Sequence, residues 1–316
     1  MAFLMWFDKR GGTARVIVLL AFVSLLTLLS ARPAAAHGGD GSNGEFWQHW
    51  AWKDLPLLFL TGVLYISGLR SVWKRAGKGA GISRGRVAAF GTALIVLFIA
   101  LISPLDYLAE ELLSAHMVQH LLLVLVAAPL FVIGHFPLAL TWSLKPSWTL
   151  KIWKDWRGKQ VWTFLTRPAV ACLLHVAAIW TWHMPRFYQA SLRYEWIHFL
   201  EHSSFFLTAF LFWQVFVDLT KTLHGRSSAQ FGIGIFSVFA IAMANGLLGV
   251  LIAFSPYVWY PIYVHETSLF GLNALEDQQL AGTIMWVPAG IVYTASALTV
   301  MGRWLFAMES LENPQS

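Results

Sequence analysis

Seven long apolar runs constrain the fold of this chain more than any other feature of its sequence. A membrane-spanning helix needs about 17–25 predominantly apolar residues, and every run except the slightly shorter 169–184 meets this length. A helix satisfies its own backbone hydrogen bonds in lipid. The sequence therefore predicts an all-α polytopic membrane protein with seven transmembrane helices. The predicted spans are residues 55–73, 87–103, 116–142, 169–184, 198–219, 230–254 and 280–303.

The composition limits both the partners and the chemistry. The chain is 57% hydrophobic and only 12% charged, with a net charge of +6. The basic residues lie in short loops between apolar runs, which is a pattern of membrane topology, so we expect a lipid bilayer as partner and no nucleic acid. The single cysteine, Cys172, excludes an intrachain disulfide and a C-x-x-C motif. Any metal site must therefore use histidine, methionine and carboxylate ligands.

The N-terminal residues have the order of a secretory signal. Basic residues up to Arg15 precede the apolar run 16–29, and Ala34-Ala35-Ala36 resembles a cleavage site. An uncleaved first helix is the alternative. We predict a signal peptide at 1–36, an extracytoplasmic linker at 37–54, a seven-helix domain at 55–303 and a cytoplasmic tail at 304–316.

The distribution of basic residues predicts the orientation in the membrane. Lysine and arginine concentrate in every second connection, beginning with the one after the first span. Such connections stay in the cytoplasm. We therefore expect an extracytoplasmic N-terminus, a cytoplasmic C-terminus, and the beginnings of the third and fifth spans at the outer face. The span 116–142 contains Pro129, Gly134 and Pro137, which predict a kink or break.

Two histidine pairs stand at matching positions on two of the predicted spans. His116 and His120 begin the third span, and His198 and His202 begin the fifth. Residues four apart share one helix face, about 6 Å apart along the axis. Ionisable side chains at a membrane rim are costly and mark function. The quartet predicts a metal site at the outer face, with His183 at the end of the fourth span as a fifth contributor.

Ligand chemistry favours copper, with zinc as the second choice. Imidazole suits both ions, whereas thioether sulfur selects Cu(I), and Met117 and Met285 lie near the outer ends of spans. Asp277 and Glu201 are the carboxylates best placed to ligate the ion or to orient a ligating imidazole. His49 and His265 are weaker candidates near the same face.

Three motifs resemble the CtaG-type cytochrome c oxidase assembly proteins of bacteria, over about residues 50–305. The motifs are HMVQHLLLVLVAAPLFVIG from His116, HFLEHSSFFLTAFLFW from His198 and DQQLAGTIMW from Asp277. The resemblance implies a multi-pass protein of the bacterial cell (inner) membrane. It implies a role in maturing an aa-type oxidase at a copper centre, with an oxidase subunit as partner. We expect the protein to act by ligand exchange and not as an enzyme. The matching positions are His116, Met117, Gln119, His120, Pro129, His198, Glu201, His202, Asp277, Gln278, Gly282, Met285 and Trp286.

Three other functions remain open at this point. His198-Phe-Leu-Glu201-His202 matches the H-x-x-E-H pattern of zinc metallopeptidases. Histidines on facing membrane helices also ligate haem. A copper-import permease would need ligands at several depths, and His175, Met243 and Cys172 are candidates for them. We expect a copper chaperone that works by ligand exchange and passes Cu(I) to the oxidase.

Overall fold

The computed structural model describes residues 50–144, 156–221, 228–264 and 267–312. Within these ranges the chain is helical and has no strand. The predicted signal peptide and most of the predicted linker lie outside the described residues. The helices are α1 (Leu55–Ala76), α2 (Arg84–Leu101), α3 (Pro104–Glu111), α4 (Leu113–Ile133), α5 (Phe136–Ser143), α6 (Trp156–Leu165), α7 (Pro168–Trp182), α8 (Pro185–Arg193), α9 (Glu195–Lys221), α10 (Ser228–Ala253) and α11 (Ala274–Glu312).

Six of these helices are long and apolar enough to cross a membrane: α1, α2, α4, α9, α10 and α11. The all-α, multi-pass prediction is therefore confirmed. The predicted span 169–184 corresponds to α7, which has 15 residues. A helix of this length extends about 22 Å, less than the roughly 30 Å of a hydrocarbon core. The seventh crossing thus stays a prediction.

The predicted break in the span 116–142 is confirmed after Ile133. His135 adopts a left-handed conformation with φ 54°, and α5 begins at Phe136 in a new direction. The backbone does pass through Pro129, because residues Leu122–Ala127 just before it form a π-helical segment. A π segment widens the turn next to a proline that has no N–H to donate. The chain from 116 to 142 is therefore two helices, and α5 packs against α1.

Close helix contacts are made at small residues. A Cβ on Gly68 would lie 1.6 Å from the carbonyl oxygen of Ala139, and one on Gly282 would lie 2.4 Å from the backbone nitrogen of Ala253. Glycine at these positions lets α1 approach α5 and α11 approach α10 at backbone distance.

The two helices that carry the histidine pairs are the most buried. In α4 and α9, 56% and 50% of the apolar stretch is buried, against 22% in α1, α2 and α11. They pack against each other in the interior of the bundle. Their first turns lie at the same end as the beginning of α11 and the end of α7. Asp277 of α11 accepts from the Leu113 N–H of α4, and the ring of His183, which follows α7, lies 5.9 Å from that of His120. We call this the cluster end of the bundle.

Candidate metal centre

Five ionisable side chains of α4 and α9 meet at the cluster end of the bundle. The i,i+4 spacing turns both members of each pair to one face, and the two helices bring these faces together. Ring centroids are 4.3 Å apart for His116 and His120, and 4.2 Å apart for His198 and His202. Between the pairs, His120 and His202 lie 5.3 Å apart. The histidine–glutamate cluster consists of His116, His120, His198, Glu201 and His202.

Glu201 lies at the centre of this cluster and is fully buried. Its Oε2 is 3.9 Å from His116 Nε2, and its Oε1 is 3.7 Å from His120 Nε2. Neither carboxylate oxygen has a hydrogen-bond partner of acceptable geometry among the described residues, because the nearby Ser191 hydroxyl donates to the Tyr188 carbonyl instead. A carboxyl group without partners in an apolar interior carries a large desolvation cost. The cluster therefore contains a strong ligand that the protein itself leaves unsatisfied.

The tautomer of His116 follows from its neighbours. Its Nδ1 is 3.2 Å from the carbonyl oxygen of Ala109, and a carbonyl only accepts, so Nδ1 carries the hydrogen. In the neutral ring, Nε2 then presents a lone pair toward Glu201. Two acceptor atoms facing each other in a dry interior repel unless a proton or a metal ion lies between them.

The ligand atoms are close enough for one ion to hold several of them. One nitrogen each of His116, His198 and His202 lie within 4.8 Å of one another, and the same holds for His116, His120 and Glu201. The Nε2 atoms of all four cluster histidines have no hydrogen-bond partner in the described part of the chain. Imidazole and carboxylate donors in this arrangement fit copper and zinc.

Two tyrosines, Tyr188 and Tyr263, hold the backbone carbonyl that is hydrogen-bonded to His116. Tyr263 Oη donates to the Ala109 carbonyl, at 3.1 Å, and lies 2.8 Å from Tyr188 Oη. Since the one hydrogen of Tyr263 goes to the carbonyl, Tyr188 donates to Tyr263. Burial raises the pKa of both phenols well above the ordinary value, so both stay neutral donors. The chain of hydrogen bonds holds the carbonyl that orients His116.

Asp277 lies on α11, outside the cluster, and caps the start of α4. Its Oδ2 accepts from the backbone N–H of Leu113 at 2.7 Å, and its Oδ1 accepts from that of Ser114 at 3.2 Å. A carboxylate at a helix N-terminus satisfies free N–H groups and complements the helix dipole. Of the two predicted roles, Asp277 therefore has the geometry of an orienting residue, because it sets the position of the turn that carries His116.

Three predicted ligands line a small cavity that adjoins the cluster at His120. His183 Nε2 is 3.4 Å from Met117 Sδ, and the His183 ring is 5.9 Å from the His120 ring. Met285 of α11 lines the same small cavity as these residues. The sequence prediction grouped Met117, Met285 and His183 with the quartet, and the structure places them in an adjoining pocket. His49 and His265 lie outside the described residues.

A larger cavity of about 200 Å³ reaches the cluster from the side of α1 and α2. His198 and His202 form part of its wall, and Lys53, Asp106 and Glu195 are among its charged residues. Lys53 and Glu195 form an ion pair across it. The sequence analysis did not identify these charged residues as part of the site. The only feature that could have indicated them is their position next to the ends of apolar runs.

The fold and the site together define a class: a polytopic helical membrane protein with an unsatisfied imidazole–carboxylate cluster at one end of its bundle. Residues 63–306 match the family described as cytochrome c oxidase caa3 assembly factor (Caa3_CtaG), and the chain belongs to this family. The resemblance seen in the three sequence motifs is thereby confirmed. No curated protein and no solved structure matches the chain significantly.

Proposed function

We propose that this protein assists cytochrome c oxidase assembly by holding copper in the histidine–glutamate cluster and passing it to an oxidase subunit. Membership of the oxidase assembly family supports cytochrome c oxidase as the recipient of the copper. The proposal of copper binding rests on one observation: buried Nε2 and carboxylate oxygen atoms converge without hydrogen-bond partners among the described residues. The positive-inside pattern of the loops supports an outward-facing cluster end.

Copper is favoured over zinc by what surrounds the cluster. Both ions accept imidazole and carboxylate ligands, but only copper in its Cu(I) state prefers thioethers. Met117 Sδ lies 3.4 Å from His183 Nε2, and the His183 ring adjoins that of His120. A sulfur ligand in the pocket next to the cluster would help to bind Cu(I), whereas zinc would gain nothing from it.

Release to a partner requires that part of the cluster be accessible. His198 is half-buried, whereas His116 and Glu201 are fully buried. The side cavity reaches His198 and His202, and it carries charged groups that suit a polar segment of a partner. An incoming ligand would displace the α9 histidines first and leave the His116 side holding the ion, which is how ligand exchange proceeds stepwise.

A copper permease would need free ligands deeper in the bundle, and the three candidates for that role are not placed to bind copper. His175 is hydrogen-bonded at both ring nitrogens, to Thr208 and Tyr293. Met243 is 55% exposed on the outside of the bundle, and Cys172 Sγ donates to the Ser237 carbonyl. These groups are either occupied or turned outward, so the described residues offer no chain of ligands across the bilayer.

The haem and peptidase alternatives meet geometric obstacles. The rings of the four cluster histidines pack at 4.2–5.8 Å from one another, which leaves no gap for a porphyrin between them. In a metallopeptidase, Glu201 would have to reach a substrate-bound water. Glu201 is instead fully buried between His116 and His120.

The test compares oxidase maturation in cells whose oxidase depends on this protein. We expect His120→Ala and His202→Ala to lower oxidase activity and oxidase copper content under copper limitation, while the variants still accumulate in the membrane. His175→Gln serves as the control for loss of a buried histidine, and it should keep oxidase activity. Normal activity in both cluster variants would refute the proposal.

A further inference from the structure

The predicted ligands divide into two adjoining pockets. Beside the cluster lies a second cavity of about 30 Å³. A water molecule needs roughly 10–15 Å³ on this scale, so the cavity has room for one small occupant. Two thioethers and two imidazoles line it, together with apolar side chains, the Asn245 amide and the Tyr293 hydroxyl, and the last two groups are already hydrogen-bonded to the Met285 carbonyl and to His175. The donors that line it are Met117, His120, His183 and Met285.

The orientation of His183 makes this pocket a ligand site. His183 Nδ1 is 2.7 Å from the carbonyl oxygen of Ile179, so Nδ1 carries the hydrogen of the neutral ring. Nε2 therefore directs a lone pair at Met117 Sδ, 3.4 Å away. Sulfur is a weak acceptor and donates nothing. Two lone pairs thus face each other across the pocket, and an electron-pair acceptor would join them.

His120 links the pocket to the cluster. Its ring lines the small cavity and also lies 3.7 Å, at Nε2, from Glu201 Oε1. Neither of its ring nitrogens has a hydrogen-bond partner among the described residues, although only 6% of the residue is exposed. A buried histidine with both nitrogens free is costly to keep, and it is placed to serve either pocket.

We propose that Met117, Met285 and His183 form a second metal site, selective for Cu(I), that adjoins the histidine–glutamate cluster through His120. Thioether sulfur is a soft donor that selects Cu(I), and neutral imidazole is a donor that Cu(I) also accepts. The site rests on the proposed function in that both handle copper, but it makes a separate claim about sulfur ligation. Copper would move between the sites by exchanging ligands around His120, with no change of oxidation state.

The direct test is Cu(I) binding by the detergent-purified full chain. Competition with a chromophoric Cu(I) chelator gives the stoichiometry, and X-ray absorption at the copper edge reports sulfur among the nearest neighbours. We expect two Cu(I) per chain in the wild type, with sulfur scattering from one. Met117→Leu combined with Met285→Leu should remove the sulfur signal and one equivalent of copper. Leucine is close to methionine in volume, so the packing is largely kept.

Matched controls separate sulfur ligation from a general loss of methionine. Met184 follows His183 directly but is 50% exposed, and Met243 is 55% exposed. Met184→Leu and Met243→Leu should leave both the stoichiometry and the sulfur signal unchanged. His202→Ala should have the opposite effect to the double methionine substitution. It should keep the sulfur-ligated copper and lose the other equivalent.

Each contrary outcome has a distinct meaning. Copper bound with nitrogen and oxygen neighbours only, in amounts that the methionine substitutions leave unchanged, would overturn the second site and leave the proposed function standing. A single copper with mixed ligands, lost in both His202→Ala and the methionine pair, would overturn the existence of two sites. A wild-type chain that binds no Cu(I) would refute the proposed function itself. The wild-type absorption spectrum decides on sulfur ligation even where a variant fails to fold.

Discussion

Two sets of buried histidines in this bundle differ in how their ring nitrogens are satisfied. His175 of α7 is fully buried, with Nδ1 3.0 Å from Thr208 Oγ1 and Nε2 3.3 Å from Tyr293 Oη. His116 of α4 is equally buried, yet its Nε2 and the Nε2 of every other cluster histidine lack a hydrogen-bond partner among the described residues. Burial alone thus does not separate the two sets.

The difference shows what distinguishes a structural histidine from a ligand. Thr208 Oγ1 already donates to the Ser204 carbonyl, at 2.7 Å, so it accepts from His175 Nδ1 and leaves Nε2 to accept from Tyr293. Every side-chain polar atom of this group has at least one partner. Folded proteins satisfy buried polar groups almost without exception, so a cluster of exceptions at one place points to an occupant.

The largest effect that would test this difference is the loss of cluster ligands. His116→Ala combined with His202→Ala removes one histidine from each pair and leaves His120 in place. Because even outer-shell changes weaken metal sites 10–100-fold, we expect the cluster's copper affinity to fall by about 100-fold or more. Competition with a Cu(I) chelator measures the affinity.

His175→Gln is the control for this experiment, because it removes a histidine that is already satisfied. It should keep copper affinity within about twofold of the wild type, since it removes no ligand. An equal loss of affinity in the control and in the double variant would mean that the two sets do not differ in function. The distinction between them would then fail.

The sequence predicted the parts of the molecule that depend on local periodicity. The apolar runs gave the helices, the i,i+4 spacing gave the two histidine faces, and Gly134 marked the break after α4. The quartet could be grouped because the alternating basic loops assigned both pairs to one end of the bundle. Each of these inferences needs only short stretches of chain and a topology rule.

The rest depends on how helices rotate against each other, which the sequence does not encode locally. The roughly 100° between neighbouring helix residues indicates that Met117 and His116 need not share a site, but it does not show that Met117 enters a pocket with His183 and Met285. Asp277 is far from Leu113 in sequence and nevertheless caps α4. The carbonyl of Ala109 that orients His116 carries no side-chain signal at all.

A smaller effect should follow when the support of the cluster is altered rather than its ligands. Asp277→Asn replaces a carboxylate that accepts from two backbone N–H groups with an amide that has one acceptor oxygen. Loss of one charge-assisted cap bond should lower the free energy of unfolding by about 1–2 kcal/mol. Copper affinity should fall about tenfold, since the turn carrying His116 is less well held.

Thermal unfolding in detergent and chelator competition measure these two quantities for Asp277→Asn. The matched control is Glu276→Gln, which removes a neighbouring, exposed charge but keeps an oxygen that can accept from the Asn273 N–H as Glu276 does. It should change neither quantity appreciably. Unaltered copper affinity in Asp277→Asn, together with reduced stability, would reduce Asp277 to a purely structural cap and detach it from the site.

The smallest effect on copper binding is expected when a hydrogen bond of His175 is removed, because this change should lower only the free energy of unfolding. Thr208→Val keeps the shape of the side chain but leaves His175 Nδ1–H without its acceptor, at a cost of about 1–2 kcal/mol in unfolding free energy. Thr283→Val is the control, because the Thr283 hydroxyl bonds only its own helix at an exposed position. Copper affinity and stoichiometry should match the wild type in both variants. A Thr208→Val protein that lost copper would place His175 on a metal path through the bundle, and the permease alternative would then replace the chaperone.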